Sequence, residues 1–223
     1  MEMEIKNEDK PIELGYKFKV GDIIVYEQRK LIKEKINLNT NTVFNSKEEN
    51  IYRIIQKVIN VDKDNIATME INITDKETNK EKERNIKINN KGKIISGYND
   101  ELSNFSFPEE KVKVKATWVD SGIIYLSLLE LPVEFKTHFL FSGTTCIHEY
   151  NCIKIDISGE EICSSIENCR HKTSYGGEIY LAYEEGIVVK SIKRSNILAK
   201  IDNYLLDSNI EIRLDLKNYL PFK

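Results

Sequence analysis

Proline is scarce in this chain, with four in 223 residues, and there are ten glycines, three histidines and one tryptophan. No apolar run approaches the roughly 18–20 residues that cross a bilayer as a helix. Stretches with helical periodicity are rare, which argues against Rossmann and TIM architectures, since both need a helical crossover after most strands. No phosphate-binding loop, dinucleotide fingerprint or serine elbow is present. The 33 Lys and Arg nearly balance 36 Asp and Glu, for a formal charge of −3, so no global field gathers nucleic acid or an anionic membrane. The densest basic stretch, Arg29 to Lys35, is broken by apolar residues and Glu34 and reads as a solvated strand face.

What the chain does have is alternation. Tyr16 to Val20 alternates before a Gly21-Asp22 turn, and IIVYEQRKLIKEKINL continues as a long, half-exposed strand. TNTVFNSKEEN reads as a polar connection. IYRIIQKVINV, the turn DKDN and IATMEINIT form a hairpin, and RNIKI, NNKGK and Ile94-Ile95 form a second. Residues 96–110 are rich in turn formers and mark the boundary or crossover between two halves. Beyond it, VKVKATWVDSGIIYLSLLELP reads as two strands turning at Asp120 to Gly122. VEFKTHFLF then sets Val133, Phe135, Thr137, Phe139 and Phe141 on one face. After a connection over Gly143 to Asn151, CIKIDI points Ile153, Ile155 and Ile157 inward. GEIYLAYEEGIVVKSI is a hairpin turning at Glu185-Gly186, SNILAKIDNYLLDS reads as a short helix or loop, and NIEIRLDL is a last strand.

These ten to thirteen strands predict an all-β fold, a large antiparallel sheet that is curved or half-open like a barrel, with little helix. A polar tail (1–14), a first β half (15–100) and a second half (101–223) carrying the cysteines follow from the boundary; matching hairpin patterns raise a pseudo-repeat of the halves, or one continuous domain.

All four cysteines and two of the three histidines fall between Thr144 and Lys172. Cys146 and Cys152 enclose five residues, as do Cys163 and Cys169, so two local disulfides are expected, Cys146–Cys152 across a hairpin and Cys163–Cys169. Such bridges persist outside the reducing cytosol. The alternative is a zinc site drawn from Cys146, His148, Cys152, Cys163, Cys169 and His171, although no tight cysteine pair of the usual spacing is present. Catalytic thiol chemistry and reduced core cysteines complete the set of readings. No cofactor is expected.

Carboxylate pairs such as Glu109-Glu110, Glu160-Glu161 and Glu184-Glu185 are adjacent in sequence, so on strands they diverge and cannot converge as acid and base. Tyrosine is the abundant aromatic, 11 against 8 Phe. Tyr16, Tyr26, Tyr52, Trp118, Tyr125, Phe135, Phe139, Tyr180 and Tyr183 are the candidate binding-face aromatics, able to line a concave apolar pocket.

The order FPEEKVKVKATW, a hairpin, TTCIHEYNCIKIDISG and GEIYLAYEEGIVVKS resembles secreted and lipoprotein β domains and, among them, the lipoprotein-carrier superfamily. A Gly-Asp that commonly precedes the Trp there is replaced by Ala116-Thr117 and stands instead at Gly21-Asp22. The resemblance implies a half-open barrel around a hydrophobic cavity and an extracytoplasmic setting, whereas the acidic opening MEMEIKNEDK, taken as a native start, implies the cytoplasm. The expected function is non-enzymatic binding of an apolar, lipid-like ligand or an envelope protein. The alternatives are a structural interaction module with a filled core and a Cys/His zinc protein or enzyme.

Overall fold

The computed structural model describes residues 10–38, 43–97, 106–126, 131–161, 169–201 and 204–222, with the backbone alone for 123–126, 131–133, 169–171 and 201. The described residues form eleven strands: β1 (Ile23–Leu38), β2 (Val43–Val61), β3 (Ile66–Asp75), β4 (Glu81–Asn89), β5 (Ile94–Ser96), β6 (Thr117–Leu126), β7 (Leu131–Ile147), β8 (Tyr150–Glu161), β9 (Cys169–Ala182), β10 (Ile187–Ile201) and β11 (Tyr204–Leu220). They make one antiparallel sheet in the order β5-β4-β3-β2-β1-β11-β10-β9-β8-β7-β6. Two meanders meet where β1 pairs with β11, and β5 and β6 are the unclosed edges.

Strand parity sorts the side chains onto two faces. Cross-strand register aligns Ile54, Tyr26, Leu216 on one row, and Ile32, Ile210, Ser195, Tyr175, Gly159, Thr137 on another. That face is concave and apolar. Phe135, Ile197, Ile210 and Ile212 form one buried cluster although they stand on β7, β10 and β11, a contact that a flat sheet with strands about 4.8 Å apart would not permit. Gly177 makes part of this curl possible, because a Cβ there would lie 2.0 Å from the Ile192 carbonyl oxygen. The convex face carries charge ladders instead, such as Arg194–Glu211–Arg213. Glu27 on that face is held down to about 2, first by the hydrogen bond from Lys76 and then by that from Arg29.

Curling alone leaves the inner face wet, and the chain's own connections cover it. Residues 10–19 cross the concave side as a strap, with Leu14 fully buried in the cluster of Phe139, Phe141, Ile153, Ile155, Ile179 and Leu181. Ile12 exchanges backbone hydrogen bonds with Val112 (2.8 and 2.9 Å), and the Tyr16 amide donates to Asn90 (2.7 Å). The strap ends at Asp22, which is 2 % exposed and accepts from the Lys19 amide (3.2 Å), the Tyr219 hydroxyl (3.2 Å) and the Phe222 amide (2.9 Å). One carboxylate thus ties the start of β1 to the end of β11.

Several expectations are corrected. Tyr16 to Val20 alternates yet has no strand beside it, because it crosses the sheet as strap. Val43 to Asn50 is no loop: it is strand, paired with β1 from Asn37 to Lys30, and its exposed polar side chains left no period to read. β6 runs through Asp120 to Gly122 without a turn, held by β7 along its length. Residues 195–201 and 204–208, expected as a short helix or loop, are the end of β10 and the start of β11, where Ile197, Ala199 and Leu206 on the concave face and Leu198 and Leu205 on the convex one obscure the alternation.

Asp22→Ala is expected to lower unfolding free energy by about 2–4 kcal/mol, since it strands three donors. Burial, the Asp22 charge and the hydrogen bond to it push the Tyr219 hydroxyl up to about 12. The neutral phenol is therefore favoured in the fold, and its contribution is complete below pH ~10 and lost as pH rises toward 12. Urea denaturation from pH 8 to 11.5 should show this loss, and Tyr219→Phe should flatten it.

Candidate functional site: the strap and the cleft beneath it

A cleft of about 380 Å³ opens between the strap and the sheet, lined by Ile12 to Lys17, Asn90, Tyr183 and Glu184. Its apolar lining comes from Ile12, Leu14, Tyr16 and Tyr183, which belong to or pack on the cluster under the strap. Its charged groups, Glu13, Lys17 and Glu184, are exposed at the rim.

Each wall has a local cause. Tyr16 is fixed by stacking on Phe18 (ring centroids 5.2 Å apart) and by the edge of Phe107 (5.3 Å), and burial pushes its hydroxyl well above the usual tyrosine range. Lys91, 8 % exposed at its side chain, reaches the Leu14 carbonyl (3.0 Å) and lies 3.7 Å from the Glu13 carboxylate. Lys17 donates to the Glu184 carbonyl (2.9 Å). Gly186, at φ +70°, ends the β9–β10 turn; a Cβ there would sit 2.3 Å from the Lys17 nitrogen, so glycine lets turn and strap touch.

The candidate aromatics divide. Tyr26, Tyr52, Trp118, Phe135 and Phe139 share the concave face, with Trp118 stacked on Phe139 (5.2 Å) and donating through Nε1 to the Ser106 carbonyl (2.7 Å). Tyr16 and Tyr183 line the cleft. Tyr180 points to the convex face, under Lys190. The Tyr125 side chain lies outside the described residues. Tyr175, absent from the sequence expectation, packs against Phe135, bonds Thr137 and takes Lys193 over its ring at 4.4 Å. Its signal, a ring two residues before Gly177 in an alternating run, was readable only with the register in hand.

The Cys146–Cys152 disulfide is overturned: both are free thiols, Cys146 exposed and Cys152 buried. The turn holds two residues, His148 and Glu149, so Ile147 faces Tyr150 and Cys146 faces Asn151. Cys152 is opposite Thr145, which places the two thiols on opposite faces of the sheet. His148 sits exposed in this turn at φ 54°. Cys163, and with it the second pairing, lies outside the described residues, and Cys169 and His171 are described as backbone of β9. Among the described residues, no group of three or more His, Cys, Asp or Glu is placed to hold a metal.

No family model matches the chain, and no curated protein matches it. Among solved structures, it is similar to the lipovitellin chain in a structure of lipid–protein interactions in lipovitellin, at 8% identity and a TM-score of 0.50. The match covers 93% of this chain and 26% of that one, so the chain spans about a quarter of its length. At that identity the likeness shows the fold alone: an open, curled antiparallel sheet. No helix among the described residues is long and apolar enough to cross a membrane.

Burial pushes the Cys152 thiol up to about 12. Iodoacetamide at pH 8 should therefore label Cys146 in the native protein and Cys152 only after denaturation, as read by peptide mass mapping. A Cys146–Cys152 linked peptide would contradict the register.

Proposed function

We propose that this chain is a non-catalytic binding module that takes an apolar, lipid-like ligand in the strap-covered part of its concave face. The carrying observation is the cleft of about 380 Å³, within the few hundred cubic ångströms usual for a small-molecule site and apolar inside with charges at the rim. An amphiphile suits that polarity, its tail against Ile12, Tyr16 and Tyr183 and its head near Lys17. The likeness to a protein studied for its lipid interactions favours the same ligand class. The resemblance to lipoprotein carriers supports an extracytoplasmic setting, which gains nothing from the free thiols Cys146 and Cys152.

A second reading, an envelope interaction module with a filled core, is favoured by the side chains that already occupy the rest of the concave face, Phe135, Ile197, Ile210 and Ile212. Titration with a fluorescent fatty acid separates the two. The ligand reading expects saturable, one-to-one binding, weakened at least about ten-fold by Ile12→Asp, which sets a charge in the cleft at a half-buried position. Absence of saturable binding by folded protein removes it and leaves the filled-core module.

A further inference from the structure

The cations of the convex face fall into two groups. Over the middle of the sheet they are paired: Arg29, Lys76 and Lys217 surround Glu27, and Arg194 and Arg213 share Glu211. At the end where β1 adjoins β2 and β10 adjoins β11 they are not. Register brings Lys33, Lys35, Lys47, Lys172 and Lys200 to the convex face there, from β1, β2, β9 and β10. All five are exposed, and none makes an ion pair among the described residues. Lys33 stands directly opposite Lys47. Like charges so placed weaken a strand pair, so the fold itself does not call for them.

The single carboxylate among these lysines, Asp207, accepts from the amides of Asn196 (3.2 Å) and Asn209 (3.1 Å). Acidic side chains return only at the borders, with Glu49 one row further along β2 and Glu160 on β8. The chain as a whole carries −3, so this basic field is local. In sequence Lys33 and Lys35 sit in a stretch broken by Glu34, and strand pairing gives them their basic neighbours. Three aliphatic side chains share the face with the lysines: Val43 is 47% exposed, Leu198 46% and Leu205 50%.

We propose that the convex face at this end of β1, β2, β9, β10 and β11 docks on an anionic lipid surface. The lysines match lipid phosphates and carboxylates, while Val43, Leu198 and Leu205 reach into the interface between headgroups and acyl chains. A single-stranded nucleic acid would call for stacking aromatics, and the described side chains of this face include none. The surface is separate from the cleft, which lies on the other face and toward the opposite ends of these strands.

Co-sedimentation of the whole chain with vesicles tests this, comparing phosphatidylcholine alone with phosphatidylcholine containing phosphatidylserine. Binding is expected to the mixed vesicles only, and to fall as salt rises toward about 0.5 M. Lys33→Gln with Lys47→Gln removes the like-charge pair, so it should leave stability to urea equal or higher while weakening vesicle binding at least about ten-fold. Leu198→Asn with Leu205→Asn should weaken it at least about five-fold, which distinguishes a lipid surface from an acidic polymer. Two controls should bind as wild type does: Lys82→Gln with Lys87→Gln on β4, and Ile12→Asp, which separates docking from uptake of lipid into the cleft. Far-UV circular dichroism confirms that each variant stays folded. No binding to the mixed vesicles, equal binding to phosphatidylcholine alone, indifference to either the lysine or the leucine pair, or loss of binding in either control would each overturn the proposal.

Discussion

Among the described residues a single layer of eleven strands has one apolar face and no second sheet or helix to bury it, and the rest of this structure is a response to that constraint. The sheet curls until residues on β7, β10, β11 and β1 touch across the hollow. Where curling does not suffice, residues 10–19 and 106–114 are drawn over the opening, with Leu14 and Phe107 as the apolar pegs. Each of these pegs removes a side chain's worth of surface from water, on the order of 1.5–3 kcal/mol apiece. The backbone contacts that seat the strap are few and lie at its ends and at the turns it crosses.

This arrangement links fold to function. A cover made of a connecting segment is held by fewer hydrogen bonds than a strand, so it is the part of the structure whose place an apolar ligand could share. The cleft lies at the boundary between strap and sheet, lined by Tyr16 from the strap and Tyr183 from the β9–β10 turn. Asp22 limits how far any such movement travels, because it fixes the point at which strap becomes β1 and ties it to the last residues of β11. The convex face carries cross-strand ion pairs around Glu27 and Glu211.

Much of the fold was legible in the sequence for a definite reason. Strands with one face buried alternate: CIKIDI of β8 and the inward set Ile210, Ile212, Leu214 and Leu216 of β11 were read from that period, and β1 and β3 from their patterns beside the turns Gly21-Asp22 and DKDN. Strands buried on neither face, such as Val43 to Asn50, or apolar on both, such as the ends of β10 and β11, carry no period, and their pairing is imposed by neighbours. The cysteine error has a related cause. Five intervening residues suggested a loop, but a two-residue turn consumes fewer of them, and a one-residue change in register moves a side chain to the other face. The strap deceived in the opposite way: Tyr16 and Phe18 alternate because both rings reach down onto the sheet from a segment that is not part of it. Seven of the nine aromatics expected at a binding face do line the concave side or its cleft, yet which of them are covered by the strap depends on the contacts Tyr16–Asn90, Lys17–Glu184 and Leu14–Lys91, which no local pattern encodes.

The central claim is that the strap is what keeps the inner face of β8 and β9 dry. Hydrogen–deuterium exchange of the intact protein, compared with Leu14→Asp, measures this directly. The account predicts faster exchange in peptides covering Ile153–Ile157 and Ile179–Leu181, with the β1–β11 seam still protected. Unchanged exchange in those peptides, or loss of protection across the whole sheet at once, would contradict it.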